Sequence, residues 1–188
     1  MTLTWNNSPG WASSHADEKN PNYKGQKGLS DFGKTVVQKM NQLGMLVDVS
    51  HVGETTFWDV INTTTKPIIA SHSNAYSICP VSRNLKDEQI KAIGKNGGVI
   101  HLNFFSGFVD VDFFQKDAAF RKKHAAEIDS LLATGMQTEY VFTVISDKYP
   151  QESEAIKPDL EQLMKHFDHI VKLIGVDHVG LGSDFDGI

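Results

Sequence analysis

Four short apolar runs constrain this chain more than any other feature. They lie at 45–49, 67–70, 98–102 and 178–181, each leads into polar residues, and segments with helical periodicity separate them. A strand that leaves through a helix and returns to the same sheet comes back parallel, because an antiparallel return needs only a tight turn. The implied class is α/β, a parallel sheet with helices outside it. In such sheets the chemistry gathers beyond the carboxyl ends of the strands. Here those ends carry His51, His72, Asn103 and Asp184.

The intervening segments read as helices. From Ser30, the positions Phe32, Val36, Val37, Met40 and Leu43 share one face, and Gly44 stops the run. Phe57, Val60 and Ile61 mark a second short helix, and 87–94 a third. Residues 117–135 read as one helix, and 136–157 as irregular or partly helical. Leu160, Leu163, Met164, Phe167, Ile170, Val171 and Ile174 then form a single stripe after Asp159, ended by Gly175. The polar stretch 6–27 has no periodicity, and a connection of that length in a compact domain is functional or mobile.

At 188 residues the chain corresponds to one domain, and its net charge of −5 argues against a nucleic-acid partner. No apolar run approaches the roughly 20 residues of a membrane helix, and the first residues lack the pattern of a signal peptide. The single cysteine, Cys79, excludes an internal disulfide or a multi-cysteine zinc site and reads as a packed thiol.

His51 and His72 each follow an apolar run directly, and each is preceded by Ser. Neutral imidazoles from neighbouring strand ends can converge on one metal ion, while either alone could simply cap its strand. Asp184, in 181–187 (LGSDFDG), can act as a general base beside a metal or cap its loop; Asp186 fits the capping role. Arg83 suits bidentate recognition of a carboxylate, or else begins the next helix as an exposed charge. His15, His124, His166, His169 and His178 lack the strand-end placement and read as surface or packing residues. His101 lies within a strand and is not expected to bind metal.

Several stretches resemble the renal, or membrane, dipeptidase family of zinc metallopeptidases, a branch of the amidohydrolase superfamily. They are MTLTWNN, GLSDFGKTVVQKMNQLGMLVDVSH, PIIASHS with SRNLKDEQIKAI, GGVIHLNFF and HVGLGSDFDGI, in family order along nearly the whole chain. The resemblance implies the carboxyl-terminal part of a (β/α)₈ TIM-type barrel, with residues 1–188 forming one partial domain that holds strands four to eight. It implies two zinc ions in the complete site, with His51 and His72 as metal ligands. Arg83 matches the arginine that holds the substrate carboxylate, and Asp184 the acid/base aspartate. A metal-bound hydroxide would attack the peptide bond of a dipeptide, the family accepting a D-residue at the carboxyl-terminal position and in some members opening β-lactam rings.

The chain departs from the family pattern at three points. The family's first metal-binding His-x-Asp pair and its bridging Glu have no counterpart here, so the chain is expected to be part of a longer enzyme. Trp5 stands where many members have a substrate-contacting His, and Phe108 where the renal enzyme has a Tyr. The partners implied are the dipeptide and either a second copy or a complementing amino-terminal half. Two alternatives stay open: a non-catalytic split half-barrel that acts only by complementation, and an amidohydrolase acting on cyclic amides or lactones. The second would call for a carboxylated lysine, and no Lys stands at a strand end.

Overall fold

The computed structural model describes residues 1–185, so Asp186 lies outside the described residues. Its centre is an open parallel sheet of three strands, β1 (Ile69–Ala70), β2 (Val99–Leu102) and β3 (Val179–Leu181), in that order. Ile69 pairs with Val99, and Ile100 with Val179. Single parallel bridges extend the sheet from β1 to Asp48 and from Asp48 to Thr2. The run expected as a strand at 45–49 therefore pairs only around Asp48. Beyond it the exposed Met45 and Leu46 have no core to face.

Helices pack against this sheet. α1 (His15–Lys19) lies within the polar stretch, followed by α2 (Asp31–Leu43), α3 (Glu54–Thr63), α4 (Asp87–Asn96) and the short α5 (Ser106–Val109). Ser30 caps α2 by accepting from the Gly33 amide, and Gly44 ends it with φ 71°, a left-handed conformation open to glycine. α3 has no side-chain cap of its own. Glu18 replaces it, its carboxylate accepting from the Thr55 and Thr56 amides at 3.0 and 3.3 Å. Val37, Val60, Ile68, Ile90, Ile93, Ile100, Leu102 and Ile170 are fully buried between sheet and helices.

Two helical faces keep most of the expected positions and differ at the rest. On α2, Gly33, Val37 and Met40 are buried, whereas Phe32 and Leu43 are exposed. On α10 (Leu160–Ile174) the buried positions are His166 and Ile170, flanked by Leu163, Phe167, Leu173 and Ile174, while Leu160 and Met164 face outward. A glycine joins the packed face of α2 and a histidine holds the centre of that of α10, and an apolar count overlooks both.

The segment 113–156 is mostly helical, and the part expected to be irregular or partly helical, 136–157, carries two helices. The whole segment comprises α6 (Phe113–Lys123), α7 (Ala125–Ala133), α8 (Thr138–Lys148) and α9 (Pro150–Ile156). The helix expected at 117–135 breaks at His124, which is drawn inward to stack on Tyr149 with ring centroids 3.9 Å apart. Phe120, Ile128, Val141 and Ile145 form a second core, separate from the first. No helix among the described residues is long and apolar enough to cross a membrane.

Candidate metal and substrate site

The carboxyl ends of the parallel segments form one rim. His51 follows the bridged Asp48 segment and holds its backbone at φ 70°; Asp184 follows β3 at φ 65°. Both are non-glycine residues in the left-handed region, where strain concentrates at functional positions. Gly182 allows the approach: a Cβ there would collide with the Ser71 carbonyl oxygen. His72 Nε2 lies 2.8 Å from His51 Nε2 and 4.0 Å from Asp184 Oδ2. Asn103, fully buried, donates through Nδ2 to Asp184 Oδ2 at 3.0 Å.

Proton accounting bears on the character of the two facing nitrogens. Ser71 Oγ donates to Asp48 Oδ2 at 2.6 Å, since a carboxylate can only accept. With its one proton committed, Ser71 meets His72 Nδ1 at 2.7 Å as an acceptor. The proton of His72 thus sits on Nδ1, and Nε2 is bare. His51 Nδ1 lies 3.1 Å from Asn6 Oδ1; a proton on that nitrogen leaves its Nε2 bare too, whereas a proton on Nε2 makes the contact with His72 Nε2 a hydrogen bond. With both nitrogens bare, two lone pairs converge on one point, the arrangement in which imidazoles bind a metal ion. The donor set fits a metal, as part of its ligand shell. Among the described residues there is no group of three or more His, Cys, Asp or Glu arranged to hold an ion.

The electrostatics keep both rings neutral. Burial, the nearby Arg83 and the neighbouring His72 and His15 rings push the His51 pKa down to about 3. His72 is lowered as well, by burial first and by Arg83 second. Arg83 itself is only 6% exposed, not a surface charge at a helix start, and burial pulls its pKa down to about 10. Its contacts among the described residues are slight. Nη2 donates to the His72 carbonyl at 3.4 Å, and Cζ sits 5.4 Å from the Phe108 ring centroid.

A cavity of about 450 Å³ joins these groups, with Arg83, Phe105 and Phe108 on one side and His51 and Asp184 on the other. A second, of about 480 Å³, opens onto His51, His72 and Asp184 from the side of Thr2, Thr4 and Trp5. A smaller one of about 230 Å³ lies beyond His15, among Glu18, Glu54 and Lys86, and reaches neither His51 nor Asp184.

Of the four residues singled out in the sequence, His51 and Asp184 line both larger cavities, Arg83 the first and His72 the second. His101 lies on β2 with its Nδ1 buried and without a hydrogen-bond partner among the described residues. His15, expected to be a surface or packing residue, reaches the rim. Its ring centroid is 6.1 Å from that of His51, Nδ1 meets Ser82 Oγ at 2.9 Å, and burial followed by Arg83 lowers its pKa to about 4. Asn6 links the two rings, its Oδ1 being 3.1 Å from His15 Nε2 and from His51 Nδ1. Neither His15 nor Asn6 follows a strand, so no local pattern marks them. Asp48 and the Ser before each His were visible only as sequence neighbours. Cys79 is buried as expected, its thiol pushed up to about 11 by that burial.

Comparison with known proteins places these observations in context. The family model described as membrane dipeptidase (peptidase family M19) matches residues 1–188. A Klebsiella pneumoniae protein, named only as an uncharacterized protein in the pqqA 5′ region, is 34% identical over 161 residues, covering 86% of this chain and 45% of that protein. An uncharacterized dipeptidase of Schizosaccharomyces pombe is 35% identical over 162 residues, covering 86% of this chain and 29% of its own length. The chain therefore spans less than half the length of these curated relatives. Among solved structures, a metallo peptidase from Rhodobacter sphaeroides, liganded with a phosphinate mimic of the dipeptide L-Ala-D-Ala, superposes with a TM-score of 0.62. It is 29% identical, with 87% of this chain and 35% of that chain covered.

Proposed function

The chain belongs to the membrane dipeptidase family of peptidases, and on that premise we propose that it carries the metal-binding and carboxylate-binding rim of a zinc dipeptidase. The observation that carries this reading is Arg83. A buried guanidinium with one long hydrogen bond and no paired carboxylate among the described residues, facing a cavity, lacks a directly bonded anion, Asp184 and Asp48 acting on it only through space. The terminal carboxylate of a short peptide supplies one, and the bidentate fork of arginine matches it.

The opposite wall of the cavity then meets the peptide bond. His51 and His72 would hold zinc through their bare Nε2 atoms, and the ion, when bound, supplies Lewis-acid polarisation and an activated water. Asp184, held by Asn103 and 4.0 Å from His72, takes the proton of the attacking water and returns it to the leaving amine nitrogen. Phe108 lies under Arg83 without a hydroxyl, so Arg83 holds the carboxylate without help from that position, and Trp5 lines both cavities in place of a histidine. Both differences bear on which dipeptide is preferred.

The sheet supports a partial barrel. Its parallel segments run in spatial order from Thr2 through Asp48, β1 and β2 to β3. An open parallel sheet exposes two unpaired edges, and further strands would close it into a (β/α)₈ barrel and complete a two-ion site.

The test compares a dipeptide bearing a free carboxylate with its carboxyl-terminal amide, using the zinc-loaded protein. The free acid is expected to be hydrolysed, the amide to be a poor substrate, and Arg83→Met to raise KM for the acid by about 10–100-fold, the worth of a hydrogen bond to a charged group. Equal hydrolysis of acid and amide would overturn the assignment of Arg83.

A further inference from the structure

We propose that Asp48, acting through Ser71, sets which ring nitrogen of His72 carries the proton, and so holds Nε2 bare for the metal; the inference rests on the metal reading above. Asp48 is only 4% exposed, and its oxygens accept four hydrogen bonds. Oδ2 takes the hydroxyls of Thr2 and Ser71, both at 2.6 Å. Oδ1 takes the amides of Ser50 and Ser71, both at 3.0 Å. Ser50 precedes His51 and Ser71 precedes His72, so one carboxylate fastens both strand ends that carry an imidazole.

The chemical consequence lies in the Ser71 hydroxyl. A serine free to rotate could donate to His72 Nδ1, leaving the ring proton on Nε2 and blocking that nitrogen as a ligand. Asp48 claims the serine proton, and only the arrangement with Nδ1–H donating to Ser71 satisfies all three groups. A carboxylate behind a metal-ligating histidine is a recurring second layer of metal sites; here a serine stands between the two. Asp48 is thus a positioning residue that touches neither substrate nor metal.

The experiment is long-range ¹H–¹⁵N NMR on the metal-free chain labelled with [¹⁵N]histidine, His72 being assigned by its loss in His72→Gln, followed by zinc titration against a chelating dye. The wild type is expected to show His72 protonated on Nδ1. Ser71→Ala moves the proton to Nε2 and weakens zinc binding by about 10–100-fold. Ser71→Thr, which keeps the hydroxyl, retains both properties. Asp48→Asn is expected to behave like Ser71→Ala where it folds, and Ser71→Ala decides the matter where it does not. If wild type binds zinc and Ser71→Ala keeps both the Nδ1 proton and the zinc affinity, the positioning role is wrong and the metal reading stands. If wild type binds no zinc but Ser71→Ala still moves the ring proton, the metal reading fails and the role of Asp48 on His72 stands.

Discussion

At the scale of single residues, backbone strain and chemistry coincide. His51 and Asp184 hold left-handed conformations, which for a residue with a side chain cost about 1–2 kcal/mol each. In both cases the twist leaves the side chain facing the same space as His72. Asparagine tolerates that backbone as well as aspartate does, so Asp184→Asn is a clean substitution. It is expected to leave zinc content unchanged and to lower kcat by about 10²–10⁴, the typical loss when a positioned general base is removed. Retained turnover would remove Asp184 from the proton transfer. The position of this residue, like those of His51 and His72, is legible in the sequence because each follows a short apolar run. His15 and Asn6 are not legible, since their partners lie far along the chain.

At the scale of elements, α10 shows how a polar residue can hold a helix in place. His166 is fully buried; its Nδ1 accepts from the Ala75 amide at 3.1 Å, and its Nε2–H donates to the Val109 carbonyl at 3.0 Å. The ring must be neutral to make both bonds, and burial lowers its pKa. The unfolded chain, with a histidine pKa of about 6.5, then binds more protons than the folded one as pH falls below that value. The contribution of His166 to stability is therefore full above about pH 6.5 and declines as the solution becomes more acidic. His166→Gln should start from a lower urea midpoint at pH 7 and lose less of it on going to pH 5 than the wild type. His15 and His51 shift in the same direction and account for slope that remains. An unchanged slope in the variant would exclude His166 as a contributor. The stripe read from the sequence ran through Leu160 and Met164 because hydropathy cannot anticipate that a histidine sits at the centre of the packed face.

At the scale of the whole molecule, two hydrophobic cores share one chain. The main core joins the sheet to α2, α3, α4 and α10, and the smaller one, built on Phe120, Ile128, Val141 and Ile145, ties α6–α9 together. A smaller buried cluster opens more easily, so amides of α7 and α8 are expected to exchange with solvent at least about tenfold faster than those of β2. Equal protection in hydrogen-exchange measurements would show the two cores unfolding as one. This helical region was the least legible part of the fold, because its helices are short and each buries only one or two positions.

The alternation of apolar runs and helical segments was enough to imply the parallel sheet and to place His51, His72, Asn103 and Asp184 at its carboxyl ends, because strand direction and side-chain period are local properties. The motif around those residues was enough to indicate the family. Tertiary structure alone decided that Arg83 is buried without an ion-pair partner among the described residues and that His15 joins the rim. It alone decided that Asp48 reaches Thr2 and Ser71 and leaves His72 Nε2 bare. A charge's neutralisation and a ring's tautomer depend on which distant groups the fold brings within hydrogen-bond reach.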